Sequence, residues 1–144
     1  MNKKIVAVQG AYDLLNWGHC KSLKLAKSFG DYLIVFLNTD ELLRKYKKRN
    51  AVLPFYQKKF ILESIKYVDK VVAAPNFSPL SLLKRYKVDV YCLTKEWESS
   101  KTEEIDYIKS TGGKIKFLPR FKGVVCTSDI KKILLEEAKE NYFH

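Results

Sequence analysis

Residues 10–23 read GAYDLLNWGHCKSL and set glycine, carboxylate, amide and imidazole between an apolar run and a helix-like pattern. A strand that turns into a helix makes an anion site, because the first helical N–H groups are unpaired and the helix dipole is positive there. Gly10 permits an open backbone, Gly18 lets a phosphate approach closely, and His19 brings an imidazole N–H to a phosphoryl oxygen. On spacing alone, a capping or solvated histidine competes with this reading. A second stretch, RKYKKRN at 44–50, puts five cations in the six positions from Arg44 to Arg49. Such runs are commonly solvated faces, but this one follows a strand and would compensate a polyphosphate. A third, PRFKGVVCTSD at 119–129, carries Arg120 and Lys122 past the end of a strand. Thr127 and Ser128 then open a helix, where hydroxyls and amides hold phosphate. An N-cap role explains either of those two equally well.

The three stretches act together only if the chain brings them to one edge, and the pattern of elements does so. Strands are expected at 4–10, 31–38, 70–75, 88–94 and 114–119, from short β-branched or continuous apolar runs. Helical spacing runs from Gly18 to Gly30, with Gly30 as the residue after the helix end. A second helix is expected at 56–67 with Ile61, Leu62 and Ile65 on one face. A third opens at Ser78 as N-cap with Pro79 behind it, and a fourth at Ser100 with Glu103 as a capping box. Thr127 or Ser128 caps the last, with Ile130, Ile133, Leu134 and Ala138 on one side. Alternating strands and helices imply right-handed crossovers and a doubly wound parallel five-stranded sheet, a Rossmann-like single domain over 1–144. Ligands bind beyond the carboxyl ends of such strands.

Net charge is +11, with 47% apolar and 30% charged residues, which excludes a disordered chain and calls for an anionic partner. No apolar run reaches 18 residues, so no membrane span is expected, and no secretory leader is recognised. Cys20, Cys92 and Cys126 lack metal-ligand spacing and read as reduced thiols. A nucleic-acid-binding domain finds support only in the charge, since no helix-turn-helix, zinc or aromatic RNA-binding signature is present.

The segments GAYDLLNWGH, AKSFGDYLIVFLNTDE, KYKK, ILESIKYVDKVV and LPRFKGVVCTSDI, in this order, resemble the small cytidylyltransferases of the nucleotidyltransferase superfamily with the H-x-G-H signature. The glycerol-3-phosphate cytidylyltransferase type is the most similar. The resemblance implies the nucleotidylyltransferase type of sheet and transfer of CMP from CTP to a small phosphorylated alcohol such as glycerol 3-phosphate, releasing pyrophosphate. It implies a nucleotide site of Gly10, Ala11, Tyr12, Asn16, Gly18, His19, Lys47, Arg120, Gly123, Thr127 and Ser128. Of these, His19, Asn16, Lys47 and Arg120 would serve catalysis, and Asp13, Asp40 and Lys45 would meet the acceptor. It further implies Mg²⁺ carried with the triphosphate and no protein metal ligands. A cytoplasmic homodimer is expected, with neither nucleic acid nor membrane as partner. Four departures stand out. Asn16 occupies the place of the first histidine, keeping a donor that cannot become cationic. Lys58 replaces an arginine and loses its fork. Thr94 and Lys95 stand for a glycine and an aspartate, and Cys126 for a hydroxyl. An adenylyltransferase of the ADP-heptose or FAD-synthetase type, or a nucleotide-binding member with little turnover, remain alternatives.

Overall fold

The computed structural model describes residues 2–48, 50–121 and 125–142. Five strands, β1 (Ile5–Gly10), β2 (Tyr32–Asn38), β3 (Lys70–Ala74), β4 (Val90–Leu93) and β5 (Lys114–Phe117), alternate with helices. These are α1 (Trp17–Lys27), α2 (Asp40–Lys47), α3 (Phe55–Glu63), α4 (Leu80–Arg85), α5 (Thr102–Ser110) and α6 (Thr127–Tyr142), with a 3₁₀ turn at Lys95–Trp97. The strands lie in the order β3-β2-β1-β4-β5 and every pairing is parallel, the doubly wound five-stranded sheet expected from the alternation. Side chains alternate between two cores, as strand pleating requires. Val6, Val8, Leu33, Val35 and Leu37 meet Leu23 and Ala26 of α1 and Leu62 of α3 on one face. Ala7, Ile34, Phe36 and Tyr91 meet Leu83 of α4 and Ile105 and Ile108 of α5 on the other.

The order reverses between β1 and β4, and there the sheet opens. β1 pairs with β2 along its whole length, from Ile5 opposite Tyr32 to Gly10 opposite Leu37. With β4 it pairs only at Val6–Val90 and Ala7–Tyr91. Beyond Ala7 the two strands part, which creates a crevice at their carboxyl ends.

The opposite edge is fastened by aspartates. Asp31, Asp69 and Asp89 each precede a strand, and each carboxylate accepts a neighbouring strand's first amides: Lys4, Leu33 and Ile5 respectively. Their own N–H groups donate back to Lys4, Leu33 and Ile5 carbonyls, closing three reciprocal brackets.

Several helix ends differ from the sequence expectation. Gly30 is not a left-handed cap; α1 ends at Ser28, and Gly30 is needed because a Cβ would lie 2.6 Å from Val6 Cγ2 and 2.7 Å from the Lys4 carbonyl oxygen. The acidic-to-basic stretch after β2 is a helix, α2, capped by the Thr39 hydroxyl and ended by left-handed Lys48. α3 is shorter than 56–67 and buries Leu62 but not Ile61. Ser78 sends its hydroxyl to Glu104, and α4 begins one residue later than a Ser78 cap would place it. Ser100 closes the 3₁₀ turn on the Trp97 carbonyl, so α5 starts after Lys101 without a capping box. Cys126, not Thr127 or Ser128, precedes α6, and its N–H donates to Asp129 Oδ2. On the expected apolar side of α6, Ile130 and Ala138 are half-buried but Ile133 and Leu134 are exposed, as is the neighbouring Leu135.

Candidate active site

A cavity of about 660 Å³ occupies the crevice between β1 and β4. Its floor is Val8, Gln9, Cys92 and Leu93, and its walls come from the β1–α1 loop, the end of α2, the 3₁₀ turn and the start of α6.

The β1–α1 loop is shaped by backbone choices. Tyr12 and Leu14 have φ of 49° and 52°, a conformation costly for L-residues. Tyr12 folds its ring back over Gly10, where an added Cβ would lie 2.9 Å from Tyr12 Cε2. That ring meets the His19 imidazole at 5.5 Å, and burial pushes its phenol well above the ordinary range. Asp13, 4% exposed, turns away from the cavity centre: its oxygens accept the Val52 and Leu53 amides at 2.8 and 3.0 Å. Burial raises its carboxyl pKa, but these amides and the charges of Lys58 and Lys131 outweigh burial and hold it below the usual range. From α3, the fully buried Lys58 sends Nζ to the Ala11 carbonyl at 2.9 Å. Two ties therefore cross between this loop and the α2–α3 region.

Asn16 caps α1. Its Oδ1 accepts from Gly18 N–H at 3.0 Å, and Nδ2 donates to the Leu14 carbonyl and to Thr127 Oγ1. His19 completes the capping box by accepting the Asn16 N–H at Nδ1, 3.2 Å away. An Nδ1 that accepts leaves the proton of the neutral ring on Nε2. Burial lowers the imidazole pKa, with Asp13 opposing, so the ring is neutral at pH 7 and offers Nε2–H as a donor. The sequence left open a protonated His19; the structure keeps it neutral.

Thr127 and Ser128, in the first turn of α6, complete the facing wall, and Thr127 Oγ1 donates to the Asp13 carbonyl at 2.9 Å. Lys131 lies one turn on. The remaining wall is aromatic: Tyr46, Phe77 and Trp97 pack at ring distances of 4.9, 5.7 and 6.1 Å. Beneath it, buried Lys101 holds its ammonium 3.6 Å from the Phe77 ring centre and donates to the Phe77 carbonyl. Burial lowers its pKa, against Glu104.

Of the residues expected at the site, Gly10, Ala11, Tyr12, Asp13, His19, Lys47, Thr127 and Ser128 line the cavity. Asn16 and Gly18 are behind the wall, joined in the helix cap. Asp40 takes the Phe55 N–H at the start of α3, and Lys45 is exposed off the lining. Arg120 is 79% exposed and paired with both oxygens of Glu96 at 2.6 and 2.7 Å. Gly123 lies outside the described residues, as do Lys122 and Arg49. Sequence reasoning missed the aromatic wall, Glu96, Lys101 and Lys131. All three cysteines are free thiols; Cys92 is buried, with its thiol pushed up to about 12 by burial, Cys20 is half-buried and Cys126 is exposed. Among the described residues no group of three or more His, Cys, Asp or Glu is placed to hold a metal ion.

A neutral imidazole donor, a cationic lysine and a helix N-terminus facing one crevice at the switch point of a parallel sheet define a nucleotide-handling α/β enzyme. The chain belongs to the cytidylyltransferase-like family, whose model matches residues 7–133, and it is a nucleotidyltransferase. It is 37% identical to glycerol-3-phosphate cytidylyltransferase of Bacillus subtilis (strain 168) over 126 residues, covering 86% of this chain and 92% of that one. With the enzyme of the same description from Staphylococcus aureus it shares 34% identity, covering 94% of this chain and 99% of the relative. The lipopolysaccharide core biosynthesis protein of Thermoplasma volcanium has a similar fold, with TM-score 0.73 at 21% identity over 84% of this chain and all of that one.

Proposed function

We propose that the protein transfers CMP from CTP to a small phosphorylated alcohol, glycerol 3-phosphate first among them, and releases pyrophosphate. The observation that carries this reading is the convergence of His19, Lys47 and the first turn of α6 on one cavity. An oxygen of the acceptor phosphate attacks the α-phosphorus in line. The new P–O bond forms as the bond to the β-phosphate bridging oxygen breaks, and pyrophosphate leaves with the electron pair. The His19 Nε2–H and the Lys47 ammonium stabilise charge that grows on the transferring phosphoryl oxygens and on the leaving group. The amides that open α6 hold the phosphate chain. Positioning supplies the rest.

Mg²⁺ accompanies the triphosphate in this proposal. Asp13 and Glu96, the carboxylates in the lining, already serve amides and Arg120, so phosphate oxygens and water would hold the ion. It would neutralise triphosphate charge. A homodimer accords with the uncovered Ile133, Leu134 and Leu135 of α6. No described helix is long and apolar enough to cross a membrane. A cytoplasmic location belongs to the same proposal, since CTP is the donor it invokes.

The test is a pyrophosphate-release screen of CTP, ATP and GTP against glycerol 3-phosphate and other acceptor phosphates, with Mg²⁺. Release with CTP and glycerol 3-phosphate is expected. Release with ATP alone would move the protein to the adenylyltransferases. Nucleotide binding without release from any pair would make it a binding protein.

A further inference from the structure

Little of this protein's positive charge lines the cavity itself. The cavity wall carries Lys47, Lys101 and Lys131 against Asp13 and Glu96, a net of one positive charge beside a neutral His19. The chain as a whole carries +11.

Much of the excess lies at the opposite edge of the sheet. In a parallel sheet all strands start at one edge, and the crossover helices end there. Lys3 and Lys4 precede β1, Lys66 precedes β3, Lys70 opens β3, Lys87 precedes β4 and Lys114 opens β5. Lys24 and Lys27 close α1, Lys84 and Arg85 close α4, and Lys109 closes α5. All except Lys27 are exposed. The facing carboxylates are few: Glu63 at the end of α3, and Asp31, Asp69 and Asp89, whose oxygens are turned onto strand amides. Compensation of helix dipoles accounts for the helix-end lysines; it does not account for Lys3, Lys4, Lys66, Lys70, Lys87 or Lys114.

Aromatic rings are interleaved with these cations. Lys3 lies over Tyr32, Lys66 over Tyr67, Lys70 and Arg85 over Tyr86, and Lys84 over Tyr107, at 5.2 to 5.9 Å. Half-buried tyrosines ringed by lysine suit the headgroup level of a bilayer. The face is almost all lysine, with Arg85 its one described arginine. Lysine answers a diffuse negative field, whereas nucleic-acid phosphates and bases favour the arginine fork. The helix ends here present carbonyls, not the amides that grip nucleic-acid phosphates. Of the exposed large apolar side chains, Phe60 and Ile61 lie in the last turn of α3 with Glu63, at the margin of this face, and the lysines and tyrosines make up the rest of the contact.

We propose that the strand-start face docks the protein on an anionic lipid surface, with the catalytic crevice turned to the aqueous side. The sequence reading took the charge as pointing to an anionic partner and, following the resemblance, expected no membrane in that role.

Co-sedimentation with vesicles tests this, using pure phosphatidylcholine and a 70:30 mixture with phosphatidylglycerol. The protein is expected to sediment with the anionic vesicles at 50 mM NaCl, not with the neutral ones, and to be released at 500 mM as the charges are screened. Each lysine near such a surface is worth about fivefold in partitioning. The combined change Lys66→Glu, Lys70→Glu, Arg85→Glu and Lys87→Glu should therefore lower partitioning at least about 100-fold, leaving circular dichroism and turnover in solution intact. A glutamine version replaces it if the glutamate version misfolds. Arg44→Glu, Lys45→Glu, Lys48→Glu and Lys132→Glu together change net charge equally at the other end and should retain most binding. Equal loss in both sets would overturn the assignment of the face. So would absence of vesicle binding, or binding of a 30-base-pair DNA duplex without vesicle binding.

Discussion

Replacing Asp13 by asparagine keeps the side chain's size and removes one acceptor. The carboxylate is 4% exposed and accepts two backbone amides, from Val52 at 2.8 Å and Leu53 at 3.0 Å. Asparagine has one oxygen, so its NH₂ would confront one of those N–H groups. A hydrogen bond to a charged group is worth about 1.5–3 kcal/mol, and a buried donor left unpaired costs about 1–3 kcal/mol. These overlap, since both describe one lost contact, and the expected destabilisation is about 2–4 kcal/mol. For a chain of this size the midpoint should fall by roughly 5–15 °C. Urea unfolding with an unchanged m-value, beside thermal melting, measures it. The pH dependence supplies a second check. The folded carboxyl titrates below its unfolded value, so its stabilisation is complete above the unfolded pKa and is lost as pH falls through the folded one. The gap between wild type and Asp13→Asn should be constant above about pH 5 and close below about pH 4. A loss under about 0.5 kcal/mol, or a gap that persists unchanged to pH 2, would refute the reasoning.

His19→Ala should lower kcat/KM by about 10²–10³-fold with the fold retained, read by steady-state kinetics and circular dichroism. In the wild type, the lowered His19 pKa means this residue's contribution to stability is full above about pH 6.5 and is lost as pH falls toward the folded value; melting at pH 7.5 and 5.5 compares them. Asn16→His should lose the α1 cap and cost about 1 kcal/mol in urea unfolding, without raising turnover. Lys47→Ala should weaken nucleotide binding in a titration at least about tenfold, while Lys45→Ala, off the cavity lining, should stay within about twofold in the same titration.

The sheet and the phosphate-facing loops were legible because their signals are local. Short β-branched or continuous apolar runs marked all five strands, and Gly10, His19 and Thr127 sit at strand-to-helix junctions that any parallel sheet brings to one edge. Helix starts were misread where a side chain found another partner: Ser100 closed the 3₁₀ turn on the Trp97 carbonyl instead of opening a capping box, whereas Ser78 donates to Glu104 across 26 positions and still accepts the Leu80 amide as a cap does. Asn16 looked like a phosphate ligand because the motif places it beside His19, yet the cap consumes it. The aromatic wall was invisible because Tyr46, Phe77 and Trp97 come from three separate connections. Trp97 lies in a stretch already noted as divergent, which was the available clue. Lys101 carried no signal beyond Glu104 three residues on.

The aspartate brackets make the two ends of this sheet mechanically unequal. β1, β2, β3 and β4 are pinned where they begin, so their register cannot slip without breaking two hydrogen bonds at once. At the other end β1 and β4 have already parted. The sheet is thus a tuning fork, stiff at its base and open at its tines, and a nucleotide entering between the tines can spread or close them at little cost to the core. β5 has no such aspartate; it joins β4 through the Lys114 amide on the Asp89 carbonyl. Amide exchange should therefore be slowest at Leu33 and Ile5 and faster at Lys114, with ligand-induced protection confined to the tines.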